Sequence, residues 1–94
     1  MSNPFGLYTT GVSANGSVGT TGADIVVASG QYKQWVTVSN THATQKLSLS
    51  FNNPATTADF TLPAGGAITL PFGIASNLYG IGSGAATTFA TIGA

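Results

Sequence analysis

Large apolar side chains alternate with small polar ones in short runs along this chain, and turn residues cut the runs about every 8–12 residues. Within 45–52, Leu47, Leu49 and Phe51 alternate with Ser48 and Ser50, the period of a strand with one dry and one wet face. Residues 32–39 place Tyr32, Val36 and Val38 on one face and Trp35 and Thr37 on the other. Residues 67–72 group Ile68, Leu70 and Phe72, with Pro71 marking a strand end or a sheet edge. Residues 77–82 present Tyr79 and Ile81, and in 87–92 Phe89 opposes Thr88, Ala90 and Ile92. The run 24–29 reads as a first core strand, and 58–62 as a weaker extended segment.

Helix is disfavoured throughout. Glu and Arg are absent, Leu is sparse, and Gly or Pro interrupts almost every window long enough for three helical turns. Six or seven short strands with brief connections leave little room for a parallel crossover. The expected fold is all-β: a small antiparallel β-sandwich, jelly-roll-like or Greek-key, its core built on Val36, Val38, Leu47, Leu49, Phe51, Ile68, Leu70 and Ile81.

Residues 1–22 read differently. Five glycines lie among Ser, Thr and Asn, and the only apolar cluster is Phe5, Leu7 and Tyr8. Such a segment buries too little to fix itself. The expected division is an extended arm over 1–22, ordered against a partner through Phe5, Leu7 and Tyr8, and a sandwich over 23–94. The sequon Asn15-Gly16-Ser17 reads as a turn.

Charge narrows the function. Only Asp24, Lys33, Lys46 and Asp59 are charged, 4% of the chain against about 25% in an ordinary soluble domain. With zero net charge and no basic run, nothing equips the chain to hold a phosphate backbone. Near-zero net charge also favours association. No Cys is present, so disulfide, zinc-cluster and thiol chemistry are excluded. No run approaches the ~18 apolar residues of a membrane helix, and the first residues lack the basic and apolar regions of a signal peptide.

Catalytic candidates are few. His42 is the one histidine, in what reads as a loop, and Asp24 and Asp59 each stand at the start of an expected strand. A hydroxyl nucleophile needs a base and an orienting group, and no Gly-x-Ser-x-Gly elbow exists. Gly80-Ile81-Gly82-Ser83-Gly84-Ala85 fits the loose dinucleotide pattern, but a strand rather than a helix is expected after it. The chain reads as a non-enzyme needing no metal or cofactor.

The succession Trp35-Val36-Thr37-Val38-Ser39-Asn40-Thr41, Leu47-Ser48-Leu49-Ser50-Phe51-Asn52, the stretch from Leu62-Pro63-Ala64-Gly65-Gly66 to Phe72, and Leu78-Tyr79-Gly80-Ile81-Gly82-Ser83-Gly84-Ala85 resembles small virion proteins of tailed bacteriophages, of the head decoration (cement) or head-tail accessory type. It covers about two-thirds of the chain, leaves the arm outside, and brings no catalytic residues. The resemblance implies a structural protein on the capsid surface, made in the host cytoplasm, that binds the major capsid protein and self-associates as a homotrimer. Trp35, Tyr32 and Tyr79 are the interface candidates, since a 94-residue sandwich gains from apolar burial between copies. The alternative is a fibre- or tail-associated module that stacks a host-surface glycan on Trp35 and the tyrosines.

Overall fold

The structure, a computed structural model, describes residues 11–94. Eight strands follow in order: β1 (Val12–Val18), β2 (Asp24–Val27), β3 (Val36–Asn40), β4 (Leu47–Ser50), β5 (Phe60–Leu62), β6 (Ala67–Leu70), β7 (Leu78–Gly82) and β8 (Thr87–Gly93). They form two four-stranded antiparallel sheets, β1-β8-β3-β6 and β2-β7-β4-β5. The pairs β1–β8, β2–β7, β3–β6 and β4–β5 are rungs of one long hairpin closed at β4–β5, and successive rungs fall in alternate sheets. That wrapping is jelly-roll topology. The chain is an all-β sandwich, as its alternation requires.

Between the sheets lie Val18, Val26, Val27, Val36, Val38, Leu47, Leu49, Leu62, Leu78 and Phe89, with Ile68 and Leu70 packed against them. Turn chemistry is also where the sequence places it. Gly66 N donates to Pro63 O at 2.8 Å while Gly65 adopts φ of 76°, a turn that needs glycine at its third position.

Three expectations are corrected. The arm does not extend to residue 22: residues 12–18 are β1, paired over their whole length with β8. Side-chain burial alone undervalued this segment, because its hold is the backbone ladder, the fully buried Val18, and the Phe89 ring, whose Cζ would lie 3.1 Å from a Cβ at Gly16. Residues 1–10, with Phe5, Leu7 and Tyr8, lie outside the described residues.

The core list is corrected at Phe51, which lies just past β4 and is 44% exposed, and at Ile81, which is half-buried on the outer face of β7. The inner face of β7 carries Leu78, Gly80 and Gly82 instead. A Cβ at Gly80 would stand 2.6 Å from Val26 Cγ2 and 3.3 Å from Leu47 Cδ1 of the flanking strands β2 and β4, and 3.2 Å from Val18 Cγ1 of the facing sheet, so the space is already filled. The third correction concerns Tyr32, which is fully buried, its hydroxyl hydrogen-bonded to Thr91 Oγ1. It is a core residue and presents nothing to another copy.

Candidate functional site

The residues with acid–base chemistry are each engaged in local backbone structure. Asp24 Oδ2 accepts from Gly19 N at 2.7 Å and closes the β1–β2 connection. Asp59 Oδ2 accepts from Thr56 N at 2.7 Å and fixes the turn before β5. His42 Nδ1 accepts from Gln45 N at 2.9 Å and Thr44 N at 3.1 Å, shaping the β3–β4 loop. No group of three or more His, Cys, Asp or Glu that could hold a metal ion occurs among the described residues. The segment matching a dinucleotide fingerprint runs from β7 into a turn, where Ser83 N donates to Lys46 O and Ser83 Oγ accepts from Lys46 N. It clasps the start of β4, and β8 follows it. No helix among the described residues is long and apolar enough to cross a membrane.

The aromatic candidates diverge. Trp35 is tied to the end of β8, its N–H donating to Ala94 O and its carbonyl accepting from Ala94 N. Alternation with the buried Val36 turns its side chain, 39% exposed, to the outer side of the β1-β8-β3-β6 sheet. Tyr79 alternates with buried Leu78 and Gly80 and so lies on the outer face of the other sheet, opposite Ile25 and Ser50. With Tyr32 in the core, Trp35 and Tyr79 do not form one stacking platform.

What the fold does assemble is an apolar groove on one open side of the sandwich. There β5 ends one sheet and β6 ends the other, and neither has a partner on its outer edge among the described residues. Leu49, Phe60, Ile68, Leu70 and Leu78 line a space of about 220 Å³, with Ser50 and Phe51 at the exit of β4. Phe60 pairs with Leu49 and faces inward, yet it is 55% exposed because no strand lies beyond it. None of the lining residues is charged, and the Ser50 hydroxyl is occupied by Asn52 N. A space of this size falls below the roughly 300–1,000 Å³ of small-molecule sites and lacks convergent polar groups to orient a ligand.

At its other end the same side is shut by Asn40. This fully buried side chain donates through Nδ2 to Gln45 O at 2.8 Å and to Leu62 O and Pro63 O at 3.1 Å, while Oδ1 accepts from His42 N. Sequence reasoning did not find the groove. The available signal was Phe60 at the head of a weak strand, two positions before Leu62, which an edge strand turns inward without covering.

No protein-family model, curated protein or solved structure matches the chain.

Proposed function

We propose that this chain is a non-enzymatic virion structural protein, a decoration (cement) protein that binds between major capsid protein subunits and stabilises the head of a tailed phage. The observation that carries the reading is the uncharged apolar groove at a sheet edge of an otherwise hydroxyl-rich, nearly charge-free sandwich. A protein that works by filling a seam needs a rigid body with adhesive sides. Thr, Ser and Asn on the outer faces can bond to neighbouring backbone without the desolvation cost of buried charge. The two outer apolar patches, Trp35 with Ile92 on one sheet and Ile25 with Tyr79 on the other, suit head-to-tail contacts, which join unlike surfaces and close into rings such as trimers. Fold alone does not carry this reading, because jelly rolls serve many roles.

The test is addition of the purified chain to particles lacking it, followed by electron microscopy of the shell. Density at every equivalent lattice position, unchanged between low and high salt, is the expected result, since only four charged side chains exist to be screened. Density confined to tail or fibres, or none, would overturn it.

A further inference from the structure

We propose that the free edge of β1 pairs with β1 of a second copy of this chain, antiparallel about a two-fold axis at Asn15, so that the two β1-β8-β3-β6 sheets become one. The inference uses a surface that the capsid reading leaves untouched and does not depend on that reading.

Of the four strands that end a sheet, three carry something that discourages pairing. β2 opens with a charge, Asp24, and its register shifts between Ile25 and Val27. β5 is three residues long between Asp59 and Pro63, and β6 is four residues long and stops at Pro71. β1 has none of these guards. It runs seven residues without charge or proline, and its register with β8 is unbroken.

The direction of its backbone groups follows from the other side of β8. Trp35 and Ala94 exchange both hydrogen bonds, and Thr41 N donates to Thr88 O, so residues 88, 90, 92 and 94 turn their backbone groups towards β3. Residues 87, 89, 91 and 93 turn theirs towards Val18, Gly16, Ala14 and Val12. That leaves the N–H and C=O groups of Ser13, Asn15 and Ser17 pointing away from the sheet, where no strand lies among the described residues.

The strand's own sequence selects the partner. Val12-Ser13-Ala14-Asn15-Gly16-Ser17-Val18 reads nearly the same in both directions about Asn15. Laid antiparallel on its copy with Asn15 opposite Asn15, it sets Ser13 against Ser17, Ala14 against Gly16 and Val12 against Val18. The pairs that must exchange hydrogen bonds, 13 with 17 and 15 with 15, are those whose backbone groups are free. Ser13, Asn15 and Ser17 are exposed, so hydroxyl meets hydroxyl on the solvent face and each Asn15 carboxamide offers the other a donor and an acceptor. A slip of one residue would set free groups against groups already spent on β8, and a slip of two would break the Ser–Ser and Asn–Asn matches.

Because Asn15 meets itself, charge at that position tests the axis directly. The parent chain should sediment as a dimer. Asn15→Lys and Asn15→Asp, each alone, set like charges opposite one another and should weaken the dimer by about five-fold or more at low salt, with circular dichroism unchanged. An equimolar mixture of the two should recover it as a Lys–Asp pair, seen by native mass spectrometry. Thr69→Lys, an exposed position on β6 at the opposite edge of the same sheet, should change nothing. A monomeric parent, the result if the chain's own first residues cover the edge, would overturn the proposal. So would an oligomer that both Asn15 variants leave intact, or a loss that the mixture fails to restore.

Discussion

The sandwich has two open sides, and the chain treats them in opposite ways. On the β1–β2 side, Val18 is 1% exposed and Val26 4%, Gly19 is capped by Asp24, and Gly19 O accepts from Gly82 N at 2.9 Å to bind the connection to the facing sheet. On the β5–β6 side, Phe51 and Phe60 are left 44% and 55% exposed around an apolar groove. Both sides end in sheet edges, so edge position is not the cause. The difference is which strands were given enough chain to cover the gap: β1 runs seven residues, β5 only three. A closed side contributes to folding. An open side of this composition leaves apolar surface in water.

The strongest way to break this comparison is to remove β1. Deleting residues 1–22 takes away the whole ladder with β8 and Val18, and uncovers Phe89. The truncated chain should lose its cooperative thermal transition, followed by circular dichroism. Deleting residues 1–10 alone should move the midpoint of dilute protein by less than about 4 °C, under 1 kcal/mol for a chain of this size. A cooperative transition retained by the longer deletion would show that β1 is an accessory.

Next in size is Asn40, which shuts the far end of the open side. Asn40→Ala strips the carbonyls of Gln45, Leu62 and Pro63 of a shared donor and should cost about 3 kcal/mol by denaturant unfolding. Asn40→Asp keeps the shape but sets a carboxylate against the same three carbonyls. Its folded-state pKa would be raised, so the variant should be weakest above that pKa and regain stability as pH falls and the protonated carboxyl donates again. An Asn40→Asp chain as stable as the parent at neutral pH would show that the carbonyls are satisfied from elsewhere.

The sandwich was legible because its signals are local. Alternation at Leu47 and Leu49, β-branched Val36 and Val38, and the Pro63–Gly66 turn each state their conformation within a few residues. Failures came where a distant residue decides. Tyr79 and Ile81 outweigh Gly80 and Gly82 in any hydrophobic count, yet β7 turns its glycines inward because Val26, Leu47 and Thr87 already occupy that space. Asn40 reads as turn chemistry, and only the arrival of Leu62 and Pro63 from more than twenty residues away makes it a buried hub. Tyr32 reads as an aromatic free to face a partner until Thr91 is set beside its hydroxyl. The groove leaves only one faint local signal, Phe60 at the head of a weak strand, since its two lips belong to different sheets.

The smallest effect is the sharpest test of what the two sides are for. Val18→Ala on the closed side leaves a void between the sheets next to Val26 and should cost about 2 kcal/mol, because neighbouring strands relax only partly into such a space. Phe60→Ser on the open side removes far more apolar area, but much of it is already in water, so the dilute chain should change by no more than about 0.5 kcal/mol. The order should invert when association is measured by light scattering. Val18→Ala, wholly internal, should leave any self-association as it is at temperatures where the chain stays folded. Phe60→Ser should weaken contact made through the groove, because the lip that would cover a seated side chain is gone. Equal costs to folding at both positions would mean that Phe60 closes the core despite its exposure, and the open side would then be a second closed one.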